Sequence, residues 1–219
     1  PLSLNLAEAV RIKRITQTED IEVRINFHRR FDDQYLSLKP LLTKEQPKLI
    51  LMKYGKGLYN YGVHHIDFLL DWFGQVSTVT SIDQYHHNSD MPWSFSCEMK
   101  SGVQVVFLGL KNINYDQYEV EIFYENSQVN FNSGGRDKLI SYSEKNKYFE
   151  GYNHLGQPIQ LTSVEGVFGL ENLYSSMVNC LHEKSELSGC RLDDAITGLK
   201  IAAAVESSAK KGCLPQAIG

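Results

Sequence analysis

Six β segments follow one another between residues 76 and 142, and no helical pattern interrupts them. They run Val76 to Tyr85, Trp93 to Met99, Val103 to Leu110, Tyr118 to Tyr124, Gln128 to Asn132 and Leu139 to Tyr142. Ser101-Gly102 and Asn126-Ser127 stand between neighbours where a hairpin needs a tight turn. Helical patterns gather at the two ends. Asn5-Leu6-Ala7-Glu8 has the form of a capping box opening a helix to about Thr16, and Asp32 or Asp33 caps a second through Leu42, where Pro40 predicts a kink or break. Ile21, Val23, Ile25 and Phe27 alternate with polar residues as in a half-buried strand, and Lys48 to Tyr54 is a further strand. A glycine-bearing turn then leads into a helix from Val63 to Phe73, with Gly74 in the stop position. Phe149 to Val167 reads as irregular; helices over Leu170 to Lys184 and Leu192 to Lys211 close the chain, the last capped by Asp193 or Asp194 and ended by Gly212. This order lacks the βαβα alternation of a dinucleotide-binding domain, and no Gly-x-Gly-x-x-Gly follows a strand. The expected fold is one α+β domain over residues 1–219: a mainly antiparallel open β-sheet with helices on one face.

Composition removes several function classes. With 219 residues the chain can bury a sizeable core. A net charge of −4 does not suit a nucleic-acid partner, which favours a basic patch. The longest apolar run, Ile201 to Val205, is far too short to cross a bilayer, so no membrane partner is expected. Cys97, Cys180, Cys190 and Cys213 are scattered with no Cys-x-x-Cys pair, which predicts reduced thiols, a cytoplasmic location and no zinc site. His86-His87 near Asp90 lacks metal-ligand spacing, and Ser133-Gly134-Gly135-Arg136 lacks the strand and helix context of a phosphate loop; a loop pair and a β turn explain them.

The helix after the glycine-bearing turn carries the chemistry. At 100° per residue, Ile66, Leu69, Leu70 and Phe73 share a buried stripe, while His64 points away from it with Asp67, Phe68 and Asp71. A histidine in the first turn, off the apolar face, is placed to face a cleft. A helix N-terminus lowers its pKa and a carboxylate such as Asp67 raises it; titrating near neutrality, it can take a hydroxyl proton. The structural alternative is an ordinary surface or core histidine. His65 borders the stripe and is expected to be structural. Asp67 either orients His64 or favours the first helical turn electrostatically. Arg29 and Arg30 suit either a carboxylate or phosphate or structural ion pairs. Tyr59 and Tyr61 suit a sugar-stacking role or the core.

These pieces resemble the glucose-fructose oxidoreductase, inositol dehydrogenase and rhizopine catabolism (Gfo/Idh/MocA) family. Its members have a Glu-Lys-Pro tripeptide leading into a helix, and Pro1-Leu2-Ser3-Leu4-Asn5-Leu6-Ala7-Glu8 is similar to the family's segment from that proline onward. His28-Arg29-Arg30-Phe31-Asp32 resembles the family's Asn-Arg-Arg-Phe-Asp, and Asn60-Tyr61-Gly62-Val63-His64-His65-Ile66-Asp67 its Asp-x-Gly-x-His-x-x-Asp. The tail from Leu192-Asp193-Asp194 to Lys211-Gly212 looks like its C-terminal helix, which packs back against the cofactor domain. The resemblance implies the substrate and oligomerisation half of an NAD- or NADP-dependent dehydrogenase acting on a sugar, nucleotide sugar or polyol. The catalytic lysine would directly precede Pro1 and an absent N-terminal Rossmann domain would hold most of the cofactor, leaving the chain inactive alone. Carried over, His64 matches the catalytic histidine. Asn60 stands where many members have aspartate; it can hold a sugar hydroxyl or the nicotinamide ribose but cannot act as a base. An Asn at this place resembles members that oxidise C3 of nucleotide-linked sugars. Arg29, Arg30, Tyr61 and Asp67 are the substrate-binding candidates. The resemblance also implies a homo-oligomer through the open sheet face. The alternative is a non-catalytic sugar-binding or assembly module of the same fold.

Overall fold

The computed structural model describes residues 1–85, 90–162, 169–183 and 188–219. Chain order is α1 (Leu6–Thr18), β1 (Arg24–Ile25), a 3₁₀ turn (His28–Phe31), α2 (Asp33–Leu42), β2 (Leu49–Tyr54), a π-helical turn (Leu58–Gly62), α3 (Val63–Phe73), β3 (Val76–Ser81), β4 (Phe95–Met99), β5 (Gln104–Gly109), β6 (Tyr118–Phe123), β7 (Ser127–Asn132), a second 3₁₀ turn (Ser133–Gly135), β8 (Asp137–Lys145), β9 (Asn153–Leu155), β10 (Ile159–Thr162), α4 (Leu170–Glu183), β11 (Cys190–Arg191), α5 (Leu192–Lys210) and β12 (Gln216–Ala217).

The large sheet has the order β10-β8-β7-β6-β2-β5-β4-β3-β12, with β9 paired to β8. Every pair in it is antiparallel except β2 and β5, which run parallel from Leu49 opposite Gln104 to Tyr54 opposite Gly109. That exception follows from connectivity. Two parallel strands need a crossover, and the chain leaves β2 through α3 before returning by β3 and β4. The α+β class and the mainly antiparallel open sheet predicted from the sequence are both present.

The core lies between the sheet and the helices on one of its faces. Period-two alternation sends Ile50, Met52 and Tyr54 of β2, Val105 and Phe107 of β5, and Val120 and Ile122 of β6 to that face, all fully buried. Against them pack Ile66 and Leu69 of α3 and Ile201, Ala202 and Val205 of α5. The tail is tied down by Ser208, whose hydroxyl accepts from the Ser81 N–H and donates to the Leu214 carbonyl, each at 2.8 Å.

Several boundaries differ from expectation, each for a physical reason. The strand expected over Ile21 to Phe27 shrinks to Arg24–Ile25, because only Cys190–Arg191 supplies a ladder for it. Phe149 to Val167 is not wholly irregular: β9 and β10 extend the sheet by pairing with β8, while residues 163–168 lie outside the described residues. His86, His87 and the Lys184 end of α4 lie outside them too. Helix α2 runs through Pro40 to Leu42. Asp193 and Asp194 do not cap α5; Arg191 holds the cap position, Asp193 pairs with Lys13 and Asp194 with Arg30. In α3, Phe68 and Asp67 are buried rather than outward, because the first 3₁₀ turn and α2 cover that side. Asn5 and Asp32 do cap their helices, Asn5 accepting from the Ala7 and Glu8 N–H groups and Asp32 from those of Gln34 and Tyr35.

Candidate functional site

Three adjoining pieces of backbone build the site. The first is the His28–Phe31 turn, pinned by α4: Asn172 Nδ2 donates to the Phe31 carbonyl at 2.9 Å, and a Cβ on Gly169 would stand 2.4 Å from the His28 carbonyl oxygen. The second is the π-helical turn Leu58–Gly62, which runs without a break into α3. Such turns occur often at functional sites because the extra residue re-aims side chains. The third is the loop at Asp90. Its carboxylate accepts from the Tyr59 N–H at 2.9 Å and so closes the start of the π turn, and a Cβ on Gly57 would lie 1.9 Å from that carboxylate. Any side chain at position 57 would therefore displace that carboxylate. Asp90 is a site residue that the sequence did not single out in this role, since it lies thirty-one positions from its partner.

His64 is half-buried in the first turn of α3, among Phe27 (ring centroids 5.2 Å apart, edge on), His28 (6.1 Å) and Tyr61 (6.5 Å). The crevice it shares with Phe27, Arg29 and Tyr35 measures about 10 Å³, room for about one water. Burial, then the charges of Arg29 and His28, push its pKa down to about 3. The expectation of a histidine titrating near neutrality is corrected: among the described residues no carboxylate offsets the burial and the neighbouring positive charge, and the imidazole is neutral throughout the physiological range. His28 is shifted downward as well, by burial and then by Arg29, with Asp32 opposing.

The two arginines separate. Arg30 turns inward. Its Nε lies 3.1 Å from both Asp67 oxygens, its Nη2 2.8 Å from Oδ1, and its Nη1 3.1 Å from Asp194. Burial opposes the Arg30 charge, but hydrogen bonds to Asp67 raise its pKa above the ordinary arginine value; burial lifts the Asp67 carboxyl against the pull of Arg30. Asp67 and Arg30 serve each other in this ion pair, and Asp67 lines the same crevice as His64. Arg29 turns toward His64 and the surface. Its guanidinium lies over the Tyr118 ring at 3.8 Å, and Nη2 approaches the Gly134 carbonyl at 3.5 Å. The other face of the stack belongs to the buried His65, parallel to Tyr118 with centroids 3.9 Å apart. His65 is structural, as expected.

Tyr59 is buried among core residues. Tyr61 is half-buried beside Arg29 in a second, larger cleft of about 690 Å³. Asn60 is exposed on the π turn, one turn before His64. Its amide can donate to or accept from a hydroxyl, including that of a nicotinamide ribose, which is the chemistry the resemblance asks of this position. Among the described residues no group of three or more His, Cys, Asp or Glu is placed to hold a metal ion. No described helix is long and apolar enough to cross a membrane, and among the described residues no disulfide joins the four cysteines.

Protein-family models and curated protein sequences provide no match to the chain. Solved structures do. The UDP-N-acetylglucosamine 3-dehydrogenase GnnA from Acidithiobacillus ferrooxidans superposes with a TM-score of 0.75 at 11% identity, over 96% of this chain and 70% of that one. The WlbA dehydrogenase from Bordetella pertussis, in complex with NADH and UDP-GlcNAcA, gives 0.74 at 12%, over 100% and 70%. A super-repressor mutant of Gal80p from Saccharomyces cerevisiae gives 0.72 at 15%, over 99% and 70%. The structural neighbours are thus Gfo/Idh/MocA-type oxidoreductases, and the chain has the fold of about 70% of such a protein.

Proposed function

We propose that this chain forms the substrate side of an NAD(P)-dependent oxidoreductase acting on a sugar, nucleotide sugar or polyol. The observation that carries this reading is the neutral His64 imidazole beside Arg29, His28 and Tyr61, with Asn60 exposed one turn away. A neutral ring can accept a hydrogen bond from a substrate hydroxyl and take its proton on a ring nitrogen as the carbon is oxidised. The low pKa makes it a weak base in isolation. Its main work is then to orient the hydroxyl until hydride loss acidifies it. The nicotinamide, when bound, accepts the hydride. Asn60 is the residue of this chain offered to the nicotinamide ribose or to a second substrate hydroxyl.

The exposure of Leu4, Val10, Ile15 and Ile21, large apolar side chains on and around α1, supports a partner lobe holding the cofactor. We also assign the open sheet face to a second copy of the chain. Lys53 there lies 2.5 Å from Glu121 and 3.4 Å from Glu119, so the face carries both signs of charge and can meet itself about a twofold axis.

The test is turnover by the protein carrying its cofactor-binding part, with a panel of nucleotide sugars and polyols. His64→Ala should lower kcat by about 10²–10⁴, the usual weight of a general base; an unchanged rate removes His64 from the mechanism. The second reading, a module that kept the fold without the chemistry, draws on the replacement of an acid by Asn60 and on the Gal80p likeness. It predicts sugar binding with no turnover in the same assay.

A further inference from the structure

The first N–H groups of the π-helical turn have no carbonyl inside it to meet. Within the turn, the Gly62 N–H reaches back to the Gly57 carbonyl at 3.2 Å and the Val63 N–H to that of Leu58, the five-residue spacing that defines such a turn. That leaves the N–H groups of Leu58, Tyr59 and Asn60. One two-residue segment satisfies all three. The Met91 carbonyl accepts from Leu58 at 3.0 Å, and the Asp90 carboxylate accepts from Tyr59 at 2.9 Å and from Asn60. The segment that delivers this carboxylate is itself fixed. Met91 and Trp93 are buried. The Tyr54 hydroxyl donates to the Trp93 carbonyl at 2.6 Å, and the Ser94 N–H donates to the Asp83 carboxylate at 2.7 Å. A Cβ on Gly109 would lie 2.1 Å from the Pro92 carbonyl oxygen, so β5 also runs hard against it. From another side, the Tyr59 hydroxyl hydrogen-bonds Glu206 of α5. The turn is thus held by groups far from it in sequence.

Building on the function proposed above, we infer that Asp90 is a positioning residue for that reaction: by holding the turn in five-residue pairing, its carboxylate sets where Asn60 and Tyr61 stand relative to His64. A π-helical turn is a rare conformation, and α-helical pairing is its ordinary neighbour. Hydrogen bonds to an ionised carboxylate are about twice as strong as those between neutral groups, so this side chain weights the balance toward the wider turn. Without it, the freed donors draw the chain toward four-residue pairing, which re-aims Asn60 and Tyr61 against a His64 that stays in α3. The effect falls on orientation rather than on affinity. A misplacement of about 1 Å can cost about 10²-fold in rate. Asp90 acts through Asn60 and His64 and has no need to touch the substrate. A purely structural cap would instead cost stability and leave the rate per folded molecule unchanged.

Asp90→Asn and Asp90→Ala, in the protein carrying its cofactor-binding part, separate positioning from capping. Asparagine keeps the shape and one acceptor oxygen but loses the charge; alanine loses every acceptor. Per folded molecule, kcat should fall about tenfold in Asp90→Asn and about 10²-fold in Asp90→Ala, with KM for the sugar changed by less than about threefold. Amide hydrogen exchange at Tyr59 and Asn60 should be slow in the unaltered protein and about 10²-fold faster in Asp90→Ala. The ring-proton resonances of His64 should move in both variants. Exchange and resonances need no turnover, so they test the inference apart from the redox reading. Loss of that reading alone would show as no turnover in any form, with the exchange and resonance changes intact. An unchanged kcat per folded molecule in a protein that turns over, unmoved His64 resonances, or Tyr59 and Asn60 amides that exchange as fast before substitution as after it overturns the inference. Should Asp90→Ala fail to fold, Asp90→Asn and exchange in the unaltered protein decide the matter.

Discussion

His64 stays neutral because a proton on it would be partly desolvated and would face Arg29 and His28. Unfolded, the same ring takes up a proton near 6.5; folded, only near 3. Its neutral form therefore supports the fold above pH 6.5, and that support is lost as pH falls from 6.5 toward 3. In His64→Gln, urea unfolding at pH 7, 5 and 4 should show a decline with acidity shallower by about 1–3 kcal/mol. An unaltered decline would mean the ring titrates alike in both states. The fully buried His65 is shifted the same way and retains part of the acid sensitivity in the variant. Arg30 shows the opposite use of charge. Asp67, Asp71 and Asp194 surround it, and removing one partner of such a pair leaves a buried charge without compensation. Neighbouring arginines thus have different surroundings: both line the crevice at His64, and Arg29 also lines the larger cleft.

At the scale of elements, the π turn sets the geometry. It places Asn60 and Tyr61 ahead of His64 on one continuous helical segment, and Asp90 holds its first N–H groups. Gly57→Ala should cost about 1–3 kcal/mol, since the new Cβ must displace the Asp90 carboxylate and leave those donors unpaired. Unfolding midpoints measure this, and Gly102→Ala, with open space around its Cβ but a φ of +86°, is the comparison for backbone strain alone. The helix from Val63 to Phe73 and its stop at Gly74 were legible because a 3.6-residue period and a glycine at the end are local signals. The π turn was not: the motif reads as a glycine-bearing loop until Asp90 arrives from a distant segment. Likewise β9 and β10 have little apolar alternation and become strands by pairing with β8.

For the whole molecule, the open sheet face predicts assembly. Lys53→Glu would place three carboxylates together where Lys53 now meets Glu119 and Glu121. Sedimentation should show the variant shifted toward monomer at low salt and the shift reduced at high salt, where exposed charges are screened; a salt-independent monomer or an unchanged oligomer would move the interface elsewhere. The fold is shared with dehydrogenases and with a repressor, so architecture alone does not assign chemistry. What the sequence determined by itself was the α+β class, the run of hairpin strands, most helix ends and the candidate His64, because periodicity, caps and glycines act over a few residues. Which arginine faces the site, how far the His64 proton affinity falls, and that the Ser133–Gly135 turn closes over Arg29 were decided by tertiary structure alone. Burial and the proximity of charges depend on segments more than a hundred residues apart, and no local pattern encodes the distance between them.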